Sequence, residues 1–218
     1  NLQGWGGEIL LDSYGLERKP VAERITRFST GNLQTMKKVP NTGRVLEPGP
    51  EGDAARIAVG HALGEGLKRE WFSQNMHLGN RYYGSPVCVF NEMEDPSNVA
   101  AENEDAVNYR PSTRPGCRAP HAWLPDGRST LDLFGHRFVL VVSGVAAEGR
   151  ALEESAKSRG LPLDIVELGD PAIRTLYEKK FVLVRPDGHV AWRDDYLPAD
   201  TEYLLEIVTG NVVQFETS

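Results

Sequence analysis

The sequence predicts an α/β protein in which a helical N-terminal segment is followed by a smaller α/β domain. Three observations lead to this prediction. Apolar residues recur at helical spacing through residues 7–39, consecutive apolar residues form a buried-strand run at Phe138–Val142, and a Pro-Asp-Gly turn signal at residues 186–188 separates two strand-like runs. Of the 218 residues, 40% are hydrophobic and 25% are charged, which is the composition of an ordinary globular protein.

The first helix is predicted to be amphipathic. In residues 7–39, Glu17 and Arg18 belong to a face of alternating charges, which is the pattern of a solvated helix surface. Pro20 lies inside this pattern and is expected to kink or restart the helix.

A loop and a second helix are predicted next. Residues 40–52 are rich in proline and glycine, which favours a loop. Asp53 is a suitable N-cap for a helix over residues 54–72, because its side chain can accept a hydrogen bond from the first turn.

The middle of the chain predicts strand-like pieces and loops. The strand-like pieces lie at residues 82–83, 87–90 and 107–109, and an acidic, Asn-rich stretch at residues 91–105 is expected to be an exposed loop. Three prolines in residues 110–121 exclude regular helix, so contacts on a surface are expected to fix the course of this segment.

The last third has the clearest pattern. The predicted elements are a strand at Phe138–Val142, a helix at residues 148–159, a strand at 163–168, a helix at Pro171–Tyr177, strands at Phe181–Val184 and 190–192, and a helix at 200–208. This order is typical of a thioredoxin-like domain, placed at about residues 117–210. The chain is accordingly divided into a helical segment at 1–80, a connector at 81–116 and a thioredoxin-like domain at 117–218.

Charge and hydropathy narrow the possible partners. The 24 Lys and Arg residues are outnumbered by 31 Asp and Glu residues, and the net charge of −7 argues against nucleic acid as a partner. No apolar run is long enough for a membrane helix, so a cytoplasmic location without membrane contact is expected. The sequence begins at Asn1 and not at Met, which predicts that it starts within a longer protein.

Neither the cysteines nor the glycine-rich start favours a cofactor site. Cys88 and Cys117 lie far apart and form no C-x-x-C motif, so a redox role is not favoured. Residues 4–7 are glycine-rich but lack the G-x-G-x-x-G spacing and a preceding strand. The histidines show no local metal-ligand spacing.

Four residues remain as candidates for a polar site. Arg114, Arg118 and His121 follow one another along the proline-rich segment, and Tyr82 lies in a strand-like piece. Such an array can bind an anion or organise a turn, and organisation of a turn is the favoured interpretation for His121.

Four blocks of the sequence resemble one family. They are residues 10–22 (LLDSYGLERKPVA), 76–82 (MHLGNRY), 114–135 (RPGCRAPHAWLPDGRSTLDLFG) and 183–193 (LVRPDGHVAWR). In the same order, these blocks are similar to motifs of the class A flavoprotein aromatic hydroxylases, the phenol and chlorophenol monooxygenase group. The asparagine at position 80 points more weakly to the chlorophenol-hydroxylase-like branch.

The resemblance implies the end of an FAD-binding domain followed by a thioredoxin-like C-terminal domain. The full-length family enzyme uses FAD and NAD(P)H to hydroxylate phenolic substrates. The family's FAD motifs match no position of this chain, so the chain alone is expected to bind no FAD, to be inactive and to carry no transferable catalytic residue. A structural or oligomerisation role is expected, with the missing FAD-domain portion, another subunit or a second copy in a homodimer as partner.

Two alternatives concern a standalone, flavin-free protein. An interaction module predicts a partner-facing apolar patch on the first helix, formed by Leu10, Leu11, Tyr14 and Ile25. A repurposed isomerase or cyclase that acts on an aromatic metabolite would instead require a pocket formed by the four polar candidates.

Overall fold

The protein consists of two compact units in a computed structural model that describes residues 3–37, 43–90, 99, 102 and 104–212. Unit 1 comprises Asn1–Lys19, Gly79–Asp95 and Arg110–Ser218, and unit 2 comprises residues 20–78 and 96–109. Both units are discontinuous in sequence. The predicted segments 1–80, 81–116 and 117–218 are each continuous, so their boundaries differ from those of the two units. The division of the chain into these domains stays a prediction.

Helix α1 (Ile9–Met36) is continuous through Pro20. Of the kink or restart predicted at this proline, the restart is therefore wrong, and the kink stays a prediction. A proline inside a helix removes one backbone donor, and a helix of 28 residues keeps many other hydrogen bonds. The boundary between the two units nevertheless falls between Lys19 and Pro20.

Helix α2 (Pro50–Trp71) begins earlier than predicted. Gly49 is the N-cap and Pro50 occupies the first turn, where its missing N–H costs nothing and its fixed φ favours the helix. Asp53 is therefore an acidic residue of the first turn and not the cap, and its N–H donates to the Gly49 carbonyl. The short helix α3 (Gln74–Leu78) follows.

The middle region differs from the prediction of strands. Residues 82–83, 87–90 and 107–109 form no regular strand. Tyr82 and Val89 pair singly with distant segments, whereas Tyr109 donates from its N–H to the nearby carbonyl of Val107. Arg81 forms an isolated bridge with Cys117, and the N–H of Val89 donates to the Ala191 carbonyl over 2.8 Å. Most of the predicted loop at 91–105 lies outside the described residues; positions 99, 102 and 104 are helical, and Val99 is buried, so the loop prediction is wrong there.

A four-stranded mixed sheet forms the centre of unit 1 and confirms the predicted α/β class. Its strands are β1 (Phe138–Val142), β2 (Leu163–Glu167), β3 (Phe181–Val184) and β4 (Val190–Asp194), in the order β2-β1-β3-β4. Strand β1 is parallel to β2 and antiparallel to β3, and β3 and β4 form the predicted hairpin. All residues of β1 and β3 are buried, as their unbroken apolar runs require.

The helices of the last third also follow the predicted order. A 3₁₀ turn at Ala146–Gly149 leads into α4 (Arg150–Ser158), and α5 (Pro171–Tyr177) and α6 (Thr201–Val208) follow β2 and β4. The side chains of Asp170 and Asp200 cap α5 and α6 by accepting backbone N–H donors. Two apolar clusters form the core of unit 1, one containing Leu140, Leu152 and Leu205 and the other Val141, Val182 and Tyr177.

Among the described residues, no helix combines the length and hydropathy needed to cross a membrane.

Candidate functional site

The most distinctive feature of unit 1 is a buried charge cluster, which we define as Glu17, Tyr82, Arg185, Asp187 and His189. Glu17 comes from the first half of α1, and Arg185, Asp187 and His189 come from the turn between β3 and β4. The cluster therefore joins two segments that are 168 positions apart in the sequence.

A bidentate ion pair lies at the centre of the charge cluster. Arg185 donates from Nη1 to Oε1 of Glu17 and from Nη2 to Oε2 over 3.0 Å, and both side chains are buried. The hydroxyl of Ser85 also donates to Oε1 of Glu17 over 2.6 Å. Planar two-point pairing and an additional donor are what a carboxylate needs to remain charged away from water.

Asp187 is a second acceptor for the same guanidinium. Arg185 donates to Asp187 from Nε over 3.2 Å and from Nη2 over 2.6 Å, and the N–H of His189 donates to Oδ1 of Asp187 over 3.2 Å. Burial acts to raise the pKa of Asp187, but His189 and the positive charge of Arg185 outweigh it and hold the pKa well below its usual range. Burial acts to lower the pKa of the Arg185 guanidinium, but the hydrogen bond to Glu17 and the negative charges of Asp187 and Glu17 together raise this pKa above its usual range.

Tyr82 forms an aromatic wall of the charge cluster. Its ring stacks on His189 with centroids 4.2 Å apart, and the guanidinium carbons of Arg18 and Arg185 each lie 5.6 Å from its centre. Burial is the main cause of the raised pKa of the Tyr82 phenol. In the charge cluster Arg185 thus pairs with the carboxylates of Glu17 and Asp187, and the stacked rings of Tyr82 and His189 lie beside these pairs.

Of the four polar candidates, Tyr82 lies within the charge cluster. Arg118 is exposed, and its backbone forms an isolated bridge with His189. His121 has different partners: its Nδ1 lies 2.8 Å from the hydroxyl of Ser129, and its ring meets Trp123 edge-on at 5.0 Å.

His121 and Arg114 each lie beside a turn of the chain, and the interpretation that they organise these turns stays a prediction. Ser129, the partner of His121, caps the 3₁₀ turn Thr130–Leu133 by accepting from the N–H of Leu131. The carbonyl of Arg114 accepts from the N–H of Cys117 over 3.0 Å. The anion-binding role considered for these residues stays a prediction.

Cys88 adjoins the charge cluster as a protonated thiol. Its Sγ lies 3.8 Å from Nη1 of Arg185 and 3.6 Å from the carbonyl of Val190. Burial raises the pKa of Cys88 to about 11, which disfavours the reactive thiolate. Both cysteines are free, and within the described ranges no three His, Cys, Asp or Glu side chains are grouped as metal ligands would be.

Gly7, in the glycine-rich start of the chain, packs closely on the end of α6. The N–H of Gly7 donates to the carbonyl of Thr209 over 2.9 Å, and a Cβ on Gly7 would lie 2.1 Å from the carbonyl oxygen of Gly210. Only glycine permits this approach of the chain to the end of α6. The segment is therefore not arranged as a phosphate cradle.

The turn after β1 does not fit the phosphates of FAD either. There the N–H of Val145 donates to the carboxylate of Glu148 and the N–H of Ala146 to that of Glu167, each over 3.1 Å. A phosphate would need these amides and would meet two negative charges. The described residues at the chain start and after β1 therefore do not fit this cofactor.

The sequence analysis did not predict the ion pair between Glu17 and Arg185. Glu17 was expected on a solvated helix face, but the structure buries it, because one turn of α1 faces the hairpin instead of water. The available signal was Arg185, a charge that directly follows the apolar run of β3 and that a buried strand can hold only with a partner.

Comparison with known proteins assigns the α/β part of unit 1. Residues 112–211 match the family model of the aromatic-ring hydroxylase C-terminal domain. This chain carries an aromatic-ring hydroxylase C-terminal domain.

Individual relatives extend the match of the hydroxylase domain over almost the whole chain. The FAD-dependent monooxygenase apdD of Emericella nidulans is 32% identical over 92% of this chain and 33% of its own length. Phenol 2-monooxygenase of a Pseudomonas species is 28% identical over 96% of this chain and 39% of its own length. The rebeccamycin biosynthetic enzyme RebC, solved with reduced flavin, has a TM-score of 0.85 at 39% identity and covers 97% of this chain and 38% of its own.

The chain is thus homologous to the C-terminal region of flavin-dependent aromatic monooxygenases. It spans between 33% and 39% of the length of the three relatives.

Proposed function

We propose that this chain is the structural C-terminal portion of an FAD- and NAD(P)H-dependent monooxygenase that hydroxylates phenolic or other aromatic substrates. FAD, when bound, supplies the oxygen-activating chemistry, and residues outside this chain hold it. The chain's own contribution is to anchor the first half of α1 on a thioredoxin-like α/β domain.

The bidentate pair between Glu17 and Arg185 carries this proposal. Each partner belongs to one of the sequence blocks shared with the hydroxylases, residues 10–22 and residues 183–193. These blocks come together in a buried, fully charged contact. Such a contact tolerates little displacement, since moving either segment would leave a charge buried without its counter-charge. It therefore fixes the position of the first half of α1 on the domain.

The exposed side of α1 in unit 1 supports the remainder of the enzyme as the partner. In this part of the helix the polar residues Ser13 and Glu17 are buried. The apolar side chains of Leu11, Tyr14 and Leu16 are instead 66%, 68% and 62% exposed. A helix that faces solvent normally has the opposite arrangement. Covering these apolar side chains by another part of the enzyme gives the arrangement a physical reason.

The apolar patch expected for an interaction module is present in part. Leu11 and Tyr14 are exposed and Leu10 is half-buried, whereas Ile25 belongs to unit 2 and is 42% exposed there. In an assembled hydroxylase and in a standalone module the patch would serve the same purpose, which is contact with a partner.

Flavin binding distinguishes the proposal from a self-sufficient flavoprotein. The purified chain is incubated with excess FAD and desalted, and its visible absorption spectrum is recorded. We expect no flavin bands, because carboxylates occupy the amides after β1 and close packing fills the glycine-rich start. A flavoprotein taken through the same desalting serves as the positive control. Retention of FAD near one equivalent by this chain would overturn the assignment of FAD binding to other residues.

A further inference from the structure

The first half of α1 carries a line of exposed side chains in unit 1 that ends in a positive charge. Leu11, Tyr14 and Arg18 are all exposed. At a rotation of about 100° per residue, these three positions lie within about 60° of one another around the helix. Gly15 lies between Tyr14 and Arg18, and a Cβ there would meet no atom of the described residues within 4 Å. We call Leu11, Tyr14, Gly15 and Arg18 the α1 stripe.

Two aromatic rings hold the guanidinium of Arg18 in place. Its central carbon lies 5.9 Å from the centre of the Tyr14 ring and 5.6 Å from that of the Tyr82 ring. Tyr82 in turn stacks on His189 inside the charge cluster, so the buried side of unit 1 helps to position this exposed arginine. Cation–π contacts attract the charge but give the N–H donors of an arginine no oxygen acceptor.

Arg18 has no counter-charge among the described residues. Its neighbour Glu17 is already paired with Arg185, and the next residue, Lys19, is also an exposed cation. Exposed arginines elsewhere in the chain do find a carboxylate, as Arg27, Arg44, Arg56, Arg128 and Arg137 show. This end of the α1 stripe therefore attracts an anion.

Any protein segment that covers the α1 stripe must take the guanidinium of Arg18 out of water. Burial of a cation is costly unless a counter-charge pairs with it and accepts its hydrogen bonds. A carboxylate fits best, because its two oxygens can accept two parallel N–H bonds from the guanidinium fork. The same segment needs apolar side chains to cover Leu11 and the ring of Tyr14.

We propose that the α1 stripe binds a segment of the remaining enzyme in which apolar residues flank an Asp or Glu, and that this carboxylate pairs with Arg18. The proposal rests on the function proposed above, since the remainder of that enzyme is the partner. It adds the chemistry of the contact, which is one acidic side chain within an apolar surface.

Zero-length cross-linking in the full-length enzyme identifies the counter-charge of Arg18. Arg18→Lys keeps the cation and supplies an amine, which a carbodiimide couples to a carboxylate in direct contact. Mass spectrometry is expected to find position 18 linked to an Asp or Glu outside these 218 residues. Lys19, about 100° around the helix, is the internal control. A link from position 18 only to this chain or to a second copy of it, no link, or an equal yield from Lys19 would overturn the proposal.

Thermal unfolding of the full-length enzyme tests the ion pair without cross-linking. Arg18→Gln is expected to lower the melting temperature, because it leaves the acidic residue of the partner segment buried without its counter-charge. Arg18→Lys keeps the charge but not the two-point geometry and is expected to lower it less. Lys19→Gln is the matched control and is expected to leave the melting temperature unchanged. Equal melting temperatures for Arg18→Gln and Lys19→Gln would overturn the ion pair.

Oxidative footprinting separates this proposal from the proposed function. Hydroxyl radicals are expected to oxidise Tyr14 more slowly in the full-length enzyme than in this chain alone, because the remainder of the enzyme covers the ring. Slow oxidation of Tyr14 together with an unchanged melting temperature of Arg18→Gln would overturn the ion pair but leave the proposed function standing. Equal oxidation of Tyr14 in the two samples would overturn both.

Discussion

Arg185 holds together a set of side chains whose charges could not be buried singly. It neutralises Glu17 through two hydrogen bonds and Asp187 through two more, so one cation serves two buried or half-buried anions. Removing different members of this set should therefore have unequal effects. Without Glu17, Arg185 still has Asp187, but without Arg185 two carboxylates lose their counter-charge.

Urea unfolding of variants with substitutions at Glu17 and Arg185 measures these unequal effects on stability. We expect Glu17→Gln to lower the free energy of unfolding by about 3 kcal/mol and Arg185→Met to lower it by more, up to about 5 kcal/mol. The double variant should lose less than the sum, with a coupling of about 1 to 3 kcal/mol.

Asp164→Asn is the control for these substitutions. It breaks the half-exposed pair with Arg137 in the same unit and should change the stability by less than about 1 kcal/mol. Additive losses for Glu17→Gln and Arg185→Met would mean that the two residues do not act as a pair.

At the scale of elements, α1 begins where the chain passes against the end of α6. The two backbones approach so closely at Gly7 and Gly210 that neither position has room for a Cβ. Gly7→Ala should therefore cost about 1 to 3 kcal/mol in stability, as overpacking of a filled site does. Gly15→Ala is the matched control, since a Cβ at Gly15 meets no atom of the described residues within 4 Å and alanine favours the helix by about 0.5 to 1 kcal/mol.

Differential scanning calorimetry of the Gly7→Ala and Gly15→Ala variants tests whether the close contact at Gly7 contributes to stability. Gly7→Ala should melt below the unsubstituted chain and Gly15→Ala at or above it. Equal melting temperatures for the two variants would show that the contact between Gly7 and Gly210 is dispensable.

The elements that were predicted correctly are those whose signals are local. The buried strand β1, the helix α5 and the turn at residues 186–188 were each predicted from a pattern of a few neighbouring residues. The errors arose where a distant partner decides. Val89 looks like part of a strand but pairs singly with Ala191, and Glu17 looks solvated until the hairpin covers it.

The candidate site was less predictable than the fold for the same reason. Tyr82 was singled out, yet its partners His189, Arg185 and Glu17 come from segments more than 60 positions away. The spacing of residues in a single sequence does not predict contacts between segments that are so far apart. The resemblance identified the sequence blocks, and the structure brought two of them into one buried pair.

Across the whole molecule, stability should be concentrated in unit 1. Both apolar clusters lie there, and β1 and β3 are buried along their full length. In unit 2, α2 buries no described residue except Gly52. Resistance to opening follows the buried apolar contacts that opening would break, so the two units should differ in hydrogen exchange.

Hydrogen exchange followed by mass spectrometry gives the test of this difference. In a dilute sample, amides of α2 should exchange within minutes, whereas those of β1 and β3 should stay protected for hours, because exposing them requires loss of the unit 1 core. Protection of α2 equal to that of β3 in dilute solution would contradict the uneven distribution of stability, because a helix without buried side chains has nothing of its own to resist opening.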